Sequence, residues 1–277
     1  MNSKKLVFID LDGTLLNDQK TISEFSLSVI QQLNQHPDYI LCIASGRPYV
    51  MVKYYLHLMH ITTPVITNNA ANIKLASTGE ILFQKCLPLT ETLNYIQYCN
   101  LHHLNWAIFY TDHIYSTNTP ERIARYSEYN SKLVSAGFPE LSHTIISNDE
   151  DPVSLLTGGA ERLSMLIQKE YEHELITSYF KEHSELHGIR STPDSYDIVH
   201  PDVDKWQGVK FISNYYNIPL DQIYVFGNDR NDQQMMQNCP HSFAVSTSES
   251  SILSLANTVI DSNNEDGVAK AILKYLL

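Results

Sequence analysis

Apolar runs near the start of the chain alternate with stretches of helical spacing. Residues 6–9 form a short apolar run that reads as a fully buried strand, while Ile22, Phe25, Val29, Ile30 and Leu33 recur as on one helix face. Residues 39–43 then read as strand, 48–58 as helix and 64–67 as strand. This β-α-β-α-β order predicts a parallel sheet with right-handed crossovers. The rhythm returns near the other end, with a helix over 206–216, a strand over 223–226 and a helix from 232. A strand over 242–245, a helix around 251–256, a strand over 258–260 and a last helix from 266 follow. The two ends are predicted to be halves of one α/β domain.

The pattern changes over residues 82–187. Strands are predicted at 106–111, 144–147 and 163–168, and helices at 90–101, 120–136 and 170–182. Leu163, Met165 and Ile167 fall on alternate positions, as in a half-buried strand. A surface excursion of one large domain would also fit this length, but a separate inserted domain with its own small core is the favoured reading. The expected organisation is therefore 1–81 and 188–277 as an α/β core domain, with 82–187 as an α/β insertion.

Charge narrows the function. The chain of 277 residues carries 31 acidic and 19 basic side chains, a formal charge of -12. Nucleic acid and anionic membrane are therefore poor partners. An anionic substrate would have to be attracted by local cations or a metal, which makes each well-placed Lys and Arg informative. Cys42, Cys86, Cys99 and Cys239 are dispersed with no metal-ligand spacing, which argues against zinc and against a disulfide framework. Asp10 interrupts the first apolar run well short of a signal sequence, and no stretch has membrane-span length. A cytoplasmic protein, monomeric or homodimeric, is expected.

Candidate chemistry gathers at the carboxyl ends of the predicted strands, where open α/β sheets bind ligands. Asp10 and Asp12 follow the first strand two positions apart, so on a continued strand they share a side while Leu11 faces the core. Two crowded carboxylates call for a divalent cation or a retained proton, and Gly13 permits a sharp turn. An ordinary strand-to-turn boundary would look the same. Ser45, Gly46 and Arg47 follow the second strand, supplying a hydroxyl, a free backbone and a cation, although such a triplet is also a routine turn. Lys205 begins a helix, where the dipole disfavours a cation; a solvated lysine is the bland alternative. Residues 227–232, GNDRND, combine glycine with oxygen-bearing side chains suited to a hard cation, and equally to capping the next helix.

Each segment alone is weak. Together, DLDGT at Asp10, SGR at Ser45, Lys205 and GNDRND at Gly227 resemble, in order, the four motifs of the haloacid dehalogenase-like (HAD) phosphohydrolases. The insertion resembles the α/β cap of the Cof-type (IIB) subfamily. VITNNAANI (65–73) and YDIVHP (196–201) are similar to that subfamily's segments before and after the cap. The resemblance implies a Rossmann-like doubly wound parallel core with a type IIB cap. It implies Mg²⁺-dependent hydrolysis of phosphomonoesters through an aspartyl-phosphate, with Asp10 as nucleophile and Asp12 as acid, then base, its pKa raised. Ser45 and Lys205 would hold the phosphoryl oxygens, Arg47, Gly46 and Asn69 would contact substrate, and Asp10, Asp12, Asn228 and Asp232 would provide metal ligands. In this subfamily the cap closes over the site and sets specificity.

Two positions depart from the family pattern. Asn228 stands where aspartate is common, which lowers the charge offered to the metal, with Asp229 or Asp232 as potential compensation. Ala70 replaces a usual glycine, which bears on close backbone approach there. The insertion is rich in Tyr and His, with Arg122, Arg125 and Arg162 as scarce cations; a sugar phosphate is the expected substrate class, although these residues would also serve as the cap's own core. A sugar phosphomutase and a non-catalytic binding protein on the same fold are the alternative functions.

Overall fold

The computed structural model describes residues 4–146, 156, 158–183, 186–192 and 195–277. The chain divides into two compact units. The first comprises residues up to Gly46, Tyr55–Phe83 and Asp204–Leu277; the second comprises Arg47–Tyr54 and Gln84–Val203.

The first unit is built on parallel strands β1 (Lys5–Ile9) and β2 (Tyr39–Ile43), joined by helix α1 (Glu24–Gln35). Ser23 caps α1 by accepting from the Ser26 N–H, satisfying a donor that the first turn cannot use. Strands β12 (Ile223–Gly227), β13 (His241–Val245) and β14 (Thr258–Ile260) complete a five-stranded parallel sheet of order β14-β13-β12-β1-β2. Leu6, Val7, Phe8 and Ile9 are all fully buried, as a strand covered on both faces requires. Helices α6 (Lys205–Tyr216), α7 (Gln233–Asn238), α8 (Ser250–Leu253) and α9 (Gly267–Tyr275) belong to the same unit.

Several details differ from the hydrophobic pattern. Residues 48–58 form a 3₁₀ turn, Tyr49–Met51, and only then helix α2 (Lys53–Leu58). Pro48 is extended, and β-branched Val50 and Val52 weaken a continuous helix. Strand β3 (Pro64–Thr67) turns through Asn68, Asn69 and Ala70, all at positive φ, and returns antiparallel as β4 (Asn72–Leu75), followed by β5 (Ile81–Gln84). That excursion has no alternation long enough to read in advance.

The second unit has a six-stranded sheet, ordered β10-β11-β9-β6-β7-β8. Its strands are β6 (Asn105–Phe109), β7 (Ile114–Ser116), β8 (His143–Ile145), β9 (Arg162–Leu166), β10 (His187–Thr192) and β11 (Ser195–Val199). Residue 147, the end of the strand predicted at 144–147, lies outside the described residues. The pairings are antiparallel except β7 with β8. Helices α3 (Leu89–Leu101) and α5 (Glu170–Glu182) contribute Tyr95, Ile96, Ile176 and Tyr179 to a core with Trp106, Ile108, Leu163, Met165 and Ile198 from the sheet. The alternation seen at Leu163 and Met165 is thus the core face of β9. Helix α4 (Pro120–Ser135) carries Arg122 and Tyr126. Strands β10 and β11 extend this sheet beyond residue 187, because Tyr196 pairs with Met165 across β11 and β9. Among the described residues, no helix is long and apolar enough to cross a membrane.

Candidate active site

β1 ends at Ile9, and its ladder is extended one step by the Asp10 N–H donating to the Phe226 carbonyl at 3.0 Å. The chain then turns: Leu16 N–H donates back to the Leu11 carbonyl at 2.9 Å, with Gly13 at φ +74°. The strand alternation therefore does not extend to Asp12. Asp10 is buried, whereas the Asp12 side chain is 35% exposed and pairs with Lys20 at 3.1 Å. The Asp12 backbone carbonyl lies 2.9 Å from the Asn228 amide.

Lys205 is fully buried at the first position of α6, with Asp204 as N-cap. Its Nζ lies 2.7 Å from Asp10 Oδ1 and 2.7 Å from Asp232 Oδ1. The cation that a helix dipole disfavours is held by two carboxylates. Burial works against its charge, but Asp10 and Asp232 outweigh that and hold its pKa above the usual lysine range. Burial raises the Asp10 carboxyl to about 7, opposed by Lys205 and reinforced by the Asp232 and Asp12 carboxylates.

Asp232 is fixed from its other oxygen, Oδ2, which accepts the backbone N–H groups of Asn228 at 2.9 Å and Asp229 at 3.2 Å. Gly227 makes this turn possible, since a Cβ there would lie 2.6 Å from Asp232 Cγ. Asp229 spends Oδ1 on the Arg230 N–H at 2.7 Å, capping the turn. Thr14 donates to Asp10 Oδ2 at 3.1 Å. An end of the Asn228 amide approaches Thr14 Oγ1 at 3.0 Å, Asp12 O at 2.9 Å and Asp10 Oδ2 at 3.3 Å.

A second group of polar residues joins β2 to β3. Ser45 is buried, its N–H donates to the Ile66 carbonyl at 2.9 Å, and its carbonyl accepts from the Asn69 N–H at 3.3 Å. Asn69 Oδ1 accepts from Asn231 Nδ2 at 3.0 Å, while Asn69 Nδ2 is a buried donor without a partner among the described residues. Gly46 packs against these two amides; a Cβ there would meet Asn69 Oδ1 at 3.1 Å and Asn231 Nδ2 at 3.2 Å. Arg47 falls in the second unit. Ala70, at φ +76°, sets its methyl against α6 where Gly208 leaves room: a Cβ on Gly208 would lie 2.9 Å from Ala70 Cβ. Two contributors carried no expected role, Thr14 and Asn231, although the threonine of DLDGT and the second asparagine of GNDRND were in view.

Among the described residues, no group of three or more His, Cys, Asp or Glu side chains is arranged to hold a metal ion. Three groups converge instead: the Asp10 carboxylate, the Asp12 backbone carbonyl and the Asn228 amide. The inward end of Asn228 lies 2.9 Å from Asp12 O and 3.3 Å from Asp10 Oδ2. Neighbouring ligands of an octahedral Mg²⁺ stand about 3.0 Å apart, given bonds of about 2.1 Å, so this donor set fits a small hard cation.

The family model for haloacid dehalogenase-like hydrolases matches residues 7–272. The chain belongs to that family. It is 29% identical over 280 residues to the 5-amino-6-(5-phospho-D-ribitylamino)uracil phosphatase YitU of Bacillus subtilis, covering 98% of this chain and 97% of the relative. The pyridoxal phosphate phosphatase YbhA of Escherichia coli is 22% identical, with 99% of each chain covered. Among solved structures, a haloacid dehalogenase-like hydrolase from Bacteroides thetaiotaomicron superposes with a TM-score of 0.83 at 18% identity, covering 98% of this chain and 99% of that one. The HAD subclass IIB sugar phosphatase BT4131 gives 0.79 at 18% identity, covering 98% and 99%. The protein is a HAD-type phosphatase, a phosphoric monoester hydrolase. Its family generally uses a divalent metal.

Proposed function

We propose that the protein hydrolyses sugar phosphates or similarly polyhydroxylated phosphomonoesters, with Mg²⁺, through a phosphoryl group carried on Asp10. The observation that carries this reading is the Asp10 carboxylate fixed between Lys205 at 2.7 Å and Thr14 at 3.1 Å. A nucleophile needs one oxygen directed and its charge balanced, and those two contacts supply both.

Asp10 attacks phosphorus and becomes an acyl phosphate as the alcohol leaves. Asp12, whose side chain is partly exposed, delivers a proton to the departing oxygen and then takes one from the water that releases phosphate. Lys205 and Ser45 hold the equatorial oxygens, where charge accumulates. The Nδ2 of Asn69, unpartnered among the described residues, is a donor of the kind a phosphoryl oxygen would satisfy, with Gly46 allowing close approach and Arg47 contributing a cation to the substrate. Asp10, the Asp12 carbonyl and Asn228 would hold Mg²⁺, with Asp232 alongside, and the cation supplies charge neutralisation and orientation when bound. The inserted unit serves as the cap. Support for the substrate class is its Tyr- and His-rich sequence and the small hydroxylated or heterocyclic phosphates named for the relatives.

The test is phosphate release from a panel of phosphomonoesters, with and without Mg²⁺, for wild type and Asp10→Asn. The expected result is release that needs both the metal and Asp10, ranked toward sugar phosphates. Full turnover by Asp10→Asn would overturn the nucleophile assignment, and a ranking led by unhydroxylated esters would overturn the substrate class.

A further inference from the structure

The amide of Asn228 meets two pure acceptors, Asp12 O at 2.9 Å and Asp10 Oδ2 at 3.3 Å, together with the Thr14 hydroxyl at 3.0 Å. With the carbonyl end inward, three oxygens crowd without a donor between two of the pairs. The single Thr14 proton must also choose between Asn228 and Asp10, both within reach. With the NH₂ end inward, its two hydrogens go to Asp12 O and Thr14 Oγ1, and Thr14 gives its own proton to Asp10 Oδ2. Without a cation, only the second arrangement satisfies every group. The first has the oxygen spacing of a cation's ligand shell, as described above.

We propose that Asn228 is a two-position amide that stands in for the cation. In the metal-free protein its NH₂ group occupies the Asp12 carbonyl directly and the Asp10 carboxylate through Thr14; a divalent cation displaces it, and the side chain turns to present Oδ1. This rests on the metal reading given under Proposed function. An aspartate at 228 could do only half of this. It would offer a charged ligand to the cation, but in its absence would set a third carboxylate beside Asp10 and Asp232 with no hydrogen to give. The neutral amide therefore trades cation affinity for an intact metal-free site.

The experiment uses the full chain labelled with ¹⁵N-asparagine, the Asn228 NH₂ pair being assigned by its loss in Asn228→Asp. In EDTA the pair is expected to be protected from solvent exchange, and MgCl₂ is expected to shift it and remove that protection along the calorimetric binding curve. Asn228→Asp is expected to melt below wild type in EDTA, and to bind Mg²⁺ about tenfold more tightly through its added charge. Magnesium heat with an unmoved NH₂ pair would overturn the proposal alone. So would a variant that melts no lower than wild type in EDTA. No magnesium heat from either protein would overturn the metal reading and the proposal together.

Discussion

Lys205 Nζ sits 2.7 Å from Asp232 Oδ1, and both side chains are fully buried. The same ammonium reaches Asp10, so one cation balances two carboxylates from different strand ends. Lys205→Met leaves both acids buried without a counter-charge. It is expected to cost about 3–5 kcal/mol by urea unfolding and to abolish phosphatase activity. Asp232→Asn should retain more stability yet still lose activity, because Lys205 is then held from one side only.

Gly208 and Ala70 are matched. The Ala70 methyl at φ +76° occupies the space that a Cβ on α6 would need. Gly208→Ala is expected to destabilise by about 1–3 kcal/mol through overpacking. Adding Ala70→Gly should recover part of that loss. A strictly additive double mutant in urea titrations would show that the two positions do not share this space.

Much of this was readable in the sequence, and the gaps have physical causes. The parallel strands β1, β2 and β12 are continuous apolar runs, so their burial on both faces was evident. Lys205 at a helix start was conspicuous because the dipole opposes it, and its two carboxylate partners explain it. The pattern carries the first strand too far: β1 ends at Ile9, Gly13 turns the chain, and Asp12 pairs with Lys20 while its carboxylate still acts on Asp10. The left-handed turn at 68–70 and the short strands β4, β5 and β7 carry no periodicity of their own. Strands β10 and β11 are held by pairing with β9, a relation between distant residues that local pattern does not contain. Asn231 acts through Asn69, 162 positions away, which is equally invisible locally.

In the cap unit, Arg162 and Asp197 form a buried pair at 2.6 Å, with Arg162 stacked 4.0 Å from the Phe109 ring centroid. Arg162→Met leaves Asp197 buried and uncompensated, and should cost about 3–5 kcal/mol. Trp106 lies in this unit and Trp206 in the other, so fluorescence in a Trp206→Phe background should show the loss in the Trp106 transition.

His143 adds a pH dependence to the same unit. Burial, with help from Arg122 and His113, lowers its pKa from 6.5 to about 4. In the unfolded chain it takes a proton below about 6.5, while the folded unit resists until about 4. Its contribution is therefore intact above pH 6.5 and is lost as pH falls toward 4. Trp106-detected urea midpoints should drop between pH 7 and 5, and His143→Gln should flatten that drop.

The central claim is that phosphate passes through Asp10. The most direct test is rapid acid quench of Asp12→Asn with p-nitrophenyl phosphate and Mg²⁺, since that leaving group needs little protonation while release from the enzyme still needs the base. The account predicts a burst of p-nitrophenol and a peptide containing Asp10 heavier by one phosphoryl group. Turnover with no burst, or the phosphoryl group on a peptide lacking Asp10, would contradict it.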